Sequence, residues 1–147
     1  SLIANSSKAI GVLSDVDTES LDSLYFFGRQ LGLAFQVVDD ILDFTGNDEQ
    51  LGKPAASDLQ SGYLTAPVFY ALEENPTLSD LINGKFSKKD DLDKALSLVR
   101  DSSAISKSRE LAEKFASESK DSISWLPDSP SKKALLELPE FVISRLY

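Results

Sequence analysis

The chain has 147 residues, of which 41% are hydrophobic and 27% charged, a composition that supports one domain with a hydrophobic core. Fifteen basic and 24 acidic residues give a net charge of -9, which argues against nucleic acid as a partner because nucleic-acid binding depends on clustered Lys and Arg. The absence of Cys and His excludes disulfides, thiolate zinc sites and histidine general bases. Any metal must be bound by oxygen, which favours Mg²⁺ or Ca²⁺.

The chain contains no Met, and an apolar helical pattern begins at once with Leu2, Ile3 and Ala4. We therefore interpret Ser1 as an interior position of a longer parent chain; a processed mature N-terminus is the alternative. No apolar run approaches the roughly 20 residues that a bilayer-spanning helix needs, so we expect no transmembrane segment.

Apolar residues recur with helical rather than alternating spacing along almost the whole chain, which predicts an all-α fold. We expect residues 1–147 to form a single domain. Thr18 or Ser20 is the expected cap of the second helix, and Gly and Pro residues predict a loop over residues 45–64. Pro67 is typical of a first helical turn. The predicted helices cover residues 2–13, 20–44, 65–74, 78–82, 91–100, 105–125 and 131–146.

The second predicted helix, residues 20–44, has the strongest pattern in the chain. Its apolar positions recur at spacings of three and four, which predicts a helix packed along its whole length. The stripe consists of Leu21, Leu24, Gly28, Leu31, Phe35, Val38 and Leu42.

A second face of the same helix is acidic. Like charges at these spacings repel one another, and the helix dipole disfavours anions near a C-terminus, so local physics alone opposes this cluster. A bound divalent cation would make the clustered carboxylates favourable, because each becomes a ligand. The alternative is an acidic helix face that is simply exposed to solvent. Apolar flanking residues indicate burial, and burying three unpaired carboxylates would cost several kcal/mol, which favours a metal-containing cavity. The face is formed by Gly32, Gln36, Asp39, Asp40 and Asp43.

A glycine-punctuated loop follows the acidic helix and contains Gly52, Lys53 and Pro54. A Lys is a compact charge suited to a phosphate oxygen, although an ordinary solvated lysine is the alternative. Asp58, Gly62, Thr65 and Pro67 come next in the chain. Together the acidic helix and this loop predict a site for a Mg²⁺-bound diphosphate, and no Walker or dinucleotide-binding motif is present.

These residues resemble a known family. Residues 35–43 (FQVVDDILD) are similar to the second aspartate-rich motif of the trans-polyprenyl diphosphate synthases, and residues 52–67 are similar to the segment that follows it. The resemblance extends over the whole chain and is strongest to the plastid and cyanobacterial solanesyl type. It implies the all-α isoprenoid-synthase bundle, Mg²⁺ as cofactor, and transfer of the prenyl group of an allylic diphosphate onto isopentenyl diphosphate, with release of diphosphate, to make a long-chain quinone precursor.

The resemblance also implies roles for single residues. Asp39 would bind Mg²⁺ directly, with Asp40 and Asp43 contributing through the metal or its waters. Lys53 would contact the allylic diphosphate, and Gln36 would lie beside the reacting region. It further implies a homodimer in the parent protein, membrane association of the product only, and a location in a plastid or the cyanobacterial cytoplasm.

The chain departs from the family pattern. The family carries two aspartate-rich motifs, whereas only one occurs here, and we interpret residues 90–93 (DDLD) as a solvated, charged helix start. The chain then corresponds to the C-terminal half of a synthase, which we expect to be inactive alone. Two alternatives remain: a non-catalytic small subunit that modulates a full-length synthase, and a helical binding domain without the chemistry, against which the retained carboxylates and Lys53 argue.

Overall fold

The computed structural model describes residues 1–46, 56–88 and 90–147, and within these ranges every regular element is a helix. This confirms the predicted all-α fold. None of the helices in the same ranges is both long and apolar enough to cross a bilayer. The helices are α1 (Leu2–Leu13), α2 (Thr18–Thr45), α3 (Ser57–Gln60), α4 (Ala66–Glu74), α5 (Thr77–Asn83), α6 (Asp91–Arg100), α7 (Ala104–Ser122) and α8 (Pro130–Ser144).

The chain forms two compact units. The first contains Ser1–Val38 and Leu111–Tyr147, and the second contains Asp39–Glu110. Helices α2 and α7 each contribute residues to both units, because the boundaries fall inside them.

In the first unit, α1 packs closely against α2 at Gly28. A Cβ atom added to Gly28 would lie 2.6 Å from the carbonyl oxygen of Ile3 and 2.8 Å from the Cα atom of Ala4. Such distances are far below van der Waals contact, so that only glycine permits this approach of the two backbones. Gly28, a member of the predicted apolar stripe, therefore serves to let α1 pack closely and not to make α2 flexible.

The same part of α2 also contacts α7. The Ser119 hydroxyl is fully buried and donates a hydrogen bond of 3.1 Å to the carbonyl oxygen of Phe27. One turn further, the buried side-chain amide of Gln30 donates to the carboxylate of Glu118. Helix α8 is joined to α7 by an exposed ion pair, with Lys120 Nζ 3.2 Å from a Glu140 oxygen.

The second unit is built around a hydrophobic core. Helices α4, α5 and α6 pack against one another, and the end of α2 and the start of α7 contribute a residue each. Burial of these side chains is the main source of stability for the helices, which are too short to be stable alone. The fully buried core residues are Phe44, Ala56, Leu59, Val68, Ala71, Leu78, Ala95, Val99 and Ala104.

Two local predictions for α2 need correction. The cap is Asp17 rather than Thr18 or Ser20, because an Asp17 carboxylate oxygen accepts a 2.8 Å hydrogen bond from the Ser20 backbone N–H, the position that an N-cap side chain reaches. Phe35 is 42% exposed although it belongs to the apolar stripe. The Arg145 guanidinium lies over its ring, 5.0 Å from the centroid, which gives this surface aromatic side chain a cationic partner.

Candidate functional site

The three aspartates of the motif lie in the last two turns of α2, in the second unit. Their burial differs: Asp39 is half-buried, whereas Asp40 is 7% and Asp43 is 1% exposed. Gln36 lies one turn earlier on the helix, is exposed and belongs to the first unit. Two of the three carboxylates are thus buried, as the apolar flanks predict, which contradicts a fully solvated acidic face.

Asp43 holds the beginning of α3. Its carboxylate oxygens accept hydrogen bonds from the Ser57 hydroxyl at 3.3 Å and from the Asp58 N–H at 3.4 Å. Its carbonyl oxygen accepts a 2.9 Å hydrogen bond from the N–H of Ala56, which precedes α3 and has no side chain that could cap it. The Asp43 carboxylate therefore acts as the cap of a helix 14 residues further along the chain, where a negative charge is favourable.

The C-terminal end of α2 has a cationic neighbour that no local pattern indicates. The Nε atom of Arg100, at the end of α6, donates a 2.8 Å hydrogen bond to the carbonyl oxygen of Phe44. A guanidinium at the last carbonyls of a helix offsets the negative end of its dipole. Arg100 thus reduces the electrostatic cost of carboxylates in the final turns of α2.

The segment after α3 forms the predicted helix start. Thr65 is extended and precedes α4, and Pro67 is buried in the first turn, as predicted. The Thr65 hydroxyl oxygen is buried and, within the part of the chain that the structure describes, has no hydrogen-bond partner. Gly52, Lys53 and Pro54, which the sequence marks as the phosphate-binding loop, lie outside the described residues.

The donor set consists of oxygens, which suits a hard cation such as Mg²⁺. Over the described ranges, however, no three acidic side chains come together as a ready-made metal site. Mg²⁺ is commonly held by one or two carboxylates, with water and substrate phosphates completing its shell. The residues therefore fit a cation shared with a diphosphate rather than one enclosed by all three aspartates.

Asp91 corrects the prediction of a solvated charged segment over residues 90–93. It is 7% exposed, and a carboxylate oxygen accepts a 2.9 Å hydrogen bond from the backbone N–H of Lys88. The side chain reaches back three residues at the beginning of α6, in the manner of a capping box, which is why this carboxylate is buried at low cost. Asp90 and Asp93 are exposed, as predicted.

The polyprenyl synthetase family model matches residues 1–99, which include the whole aspartate motif. The chain belongs to the polyprenyl synthetase family. Over all 147 residues it is 51% identical to a prenyl transferase from Synechocystis, and it covers 46% of that protein. It is 43% identical over 146 residues to the chloroplastic solanesyl diphosphate synthase 2 of Arabidopsis thaliana, covering 99% of this chain and 35% of that protein.

The fold is shared with a solved polyprenyl synthase. The Caulobacter crescentus enzyme, crystallised with calcium and isoprenyl diphosphate, matches with a TM-score of 0.85 and 32% sequence identity, over 97% of this chain and 45% of that chain. The present chain spans less than half the length of these relatives. The similarity thus establishes the family and the isoprenoid-synthase fold.

Proposed function

We propose that the chain supplies the second aspartate-rich motif of a polyprenyl diphosphate synthase, which joins isopentenyl diphosphate to an allylic diphosphate. The product is a long-chain polyprenyl diphosphate that serves as a quinone side-chain precursor. One observation carries the proposal: the motif of residues 35–43 belongs to a chain of this family and lies on one uninterrupted helix with two buried aspartates.

The three aspartates have different roles in this proposal. Asp39 is half-buried and binds Mg²⁺ together with a diphosphate, with Asp40 contributing from the same turn. Asp43 orients the acidic turn through its hydrogen bonds to Ser57 and Asp58, and would contribute through the metal or its waters. When bound, Mg²⁺ neutralises diphosphate charge and thereby makes the diphosphate a better leaving group.

Three further residues complete the proposed site. Lys53 contacts the allylic diphosphate as a point charge, and Gln36 lies beside the reacting carbon atoms. The Thr65 hydroxyl, buried and without a described partner, donates to a phosphate oxygen. The proton lost from isopentenyl diphosphate goes to the released diphosphate, which is a base held beside the reacting carbon atoms.

The setting of the enzyme follows from its relatives. The similarity to a cyanobacterial and a chloroplastic protein supports a location in a plastid or in the cyanobacterial cytoplasm. We further propose that the complete enzyme is a homodimer and that the polyprenyl product, rather than the protein, associates with the membrane.

A hybrid enzyme tests the function. This chain replaces the matching residues of the Synechocystis prenyl transferase, to which all of its 147 residues align. We expect Mg²⁺-dependent elongation of farnesyl diphosphate, and a decrease in turnover by orders of magnitude in the Asp39→Asn hybrid. Asp121→Asn, which neutralises an exposed carboxylate on α7, is the matched control and should retain activity.

A folded hybrid that is inactive, or one in which the two substitutions have equal effects, contradicts the proposed function. A non-catalytic small subunit that modulates a full-length synthase is the alternative. It predicts that the isolated chain binds an intact synthase and changes the length of its product. Size-exclusion chromatography and product analysis with the intact Synechocystis protein distinguish this outcome.

A further inference from the structure

A groove between α5 and α6 lies in the second unit and has no part in the proposed chemistry. Its volume is about 660 Å³, and most of its accessible lining is apolar. The floor includes Leu81 and Leu98, which are half-buried and pack on the core. The groove is therefore a stable depression over the hydrophobic core and falls in the usual size range of binding sites, roughly 300–1,000 Å³.

The walls of the groove are acidic. Along α6 the lining positions recur every three or four residues, from Asp90 through Asp93 to Asp101, so that they share one helix face. That face is about 16 Å long at 1.5 Å per residue. Asp80 lies on the α5 wall, and Lys94 is the basic residue among those that line the groove. Four carboxylates and one ammonium group thus surround an apolar floor.

We propose that this groove, defined by α5 and α6, binds an amphipathic helix of another protein that carries Lys or Arg beside an apolar stripe. An apolar floor with charged walls is the usual receptor for such a helix, because leucine-sized side chains fill the floor while the flanking cations meet the carboxylates. The α6 face is three turns long, which is the length of a bound helix of three turns.

The acidic walls of the groove favour a basic helix over two other partners, a second copy of the chain and an anionic membrane. A second copy of the chain would bring a net charge of -9 towards a groove that is itself acidic. An anionic membrane surface is repelled for the same reason. A basic helix gains both burial of its apolar face and ion pairs with the walls, and its association is accelerated by electrostatic attraction.

A synthetic peptide tests the proposal on the intact chain. The probe is a 14-residue helical peptide with Leu on one face and Lys on both flanks, and a second peptide carries Glu in place of Lys. We expect the Lys peptide to bind, with an affinity reduced about three- to thirtyfold in the Asp93→Asn/Asp101→Asn double variant at low salt. Fluorescence anisotropy measures both dissociation constants.

The matched control is the Glu110→Gln/Asp121→Asn double variant, which removes the same charge from exposed positions on α7. Its affinity should change less than about twofold. Equal weakening in both double variants means diffuse attraction to an acidic chain and overturns the proposal, as does equal binding of the Glu peptide. If the first double variant melts lower than the parent chain, Asp80→Asn on the opposite wall provides the same comparison. Concentration-dependent self-association that the first double variant abolishes would instead assign the groove to a second copy.

Discussion

Carboxylates one turn apart on α2 occupy different environments. Asp43 is 1% exposed and makes two hydrogen bonds to the beginning of α3, whereas Asp39 is half-buried. A buried carboxylate that accepts a hydroxyl and a backbone N–H stabilises the fold, and a carboxylate with access to solvent is available to a cation. Within this motif Asp43 therefore supports the fold, whereas cation binding at Asp39 belongs to the proposed function.

Alanine substitution separates these two roles. We expect Asp43→Ala to lower the free energy of unfolding by about 1–3 kcal/mol, because the Ser57 hydroxyl and the Asp58 N–H lose their acceptor. Asp39→Ala should cost less stability, since its side chain is only half-buried. Urea unfolding of the isolated chain measures both values. A loss of stability at Asp39 equal to that at Asp43 would contradict the division of roles.

Glu74 gives the second unit a pH-dependent contact. Hydrogen bonds from the Ser103 hydroxyl, from Lys107 and from the Ser103 N–H lower the pKa of Glu74 from 4.5 to about 2. Because the folded pKa lies below the unfolded one, the contact stabilises the fold fully above about pH 4.5, and this stabilisation is lost as the pH falls towards 2.

The Glu74→Gln variant checks this sign. Its deficit in stability relative to the parent chain should be largest near neutral pH and should shrink as the pH falls from 4.5 towards 3. Chemical unfolding at several pH values measures the deficit, and Glu110→Gln, on an exposed glutamate of α7, is the control. A deficit that stays constant over this range would show that Glu74 acts through packing rather than through its charge.

At the scale of elements, α2 was the most predictable part of the chain. Its helical pattern predicts a helix over residues 20–44, and the observed helix is Thr18–Thr45. The helix begins two residues before the predicted start because Asp17 is its N-cap. Periodicity identifies a packed face but does not say how close the neighbouring helix lies. The two glycines on this helix, Gly28 and Gly32, illustrate what the pattern leaves open.

Gly28→Ala and Gly32→Ala form a matched pair one turn apart on α2. We expect Gly28→Ala to destabilise the first unit by about 1–3 kcal/mol, because its Cβ would lie 2.6 Å from the backbone oxygen of Ile3. The nearest atom to a Cβ on Gly32 is the Ser1 Oγ at 3.5 Å, so Gly32→Ala should be neutral or stabilise the helix by up to about 1 kcal/mol. Thermal unfolding decides: similar melting temperatures for the two variants would contradict the close approach of α1 to α2.

Helix α3 shows where pattern reading fails. It has four residues, Ser57–Gln60, too few for any helical period to appear. Its beginning depends on the Asp43 side chain. At its end, Gly62 has a φ of 86°, its N–H donates to the carbonyl oxygen of Leu59, and the N–H of Tyr63 donates to the carbonyl oxygen of Asp58. This is a Schellman ending, which needs a left-handed residue. The glycine is visible in the sequence, but the distant cap is not.

At the scale of the whole molecule, the sequence predicted the helices and the motif better than the contacts between them. Helical spacing and punctuation locate seven of the helices, since both are local properties of the chain. The pairs that join helices have no local signal: Gln30 meets Glu118 across 88 positions, and Arg100 meets Phe44 across 56. The candidate site was recognisable from its aspartates, whereas Ser57 and Arg100 became visible only once the chain was folded.

The 147-residue chain should be inactive by itself. The resemblance implies two aspartate-rich motifs that hold the diphosphate from opposite sides, and this chain contains one. Across the described residues no three acidic side chains form a metal site, so metal and diphosphate would share few protein ligands. We expect no polyprenyl product from the purified chain supplied with Mg²⁺, isopentenyl diphosphate and farnesyl diphosphate.

Supplementing the assay distinguishes an incomplete site from a defective one. Adding a polypeptide that carries the remaining part of the Synechocystis prenyl transferase should restore measurable elongation, because helices can pack without a covalent connection. The Asp39→Ala chain, which should fold, provides the control and should restore none. Product formed by the chain alone would contradict the half-site interpretation, since the second acidic wall would then have to lie among these residues.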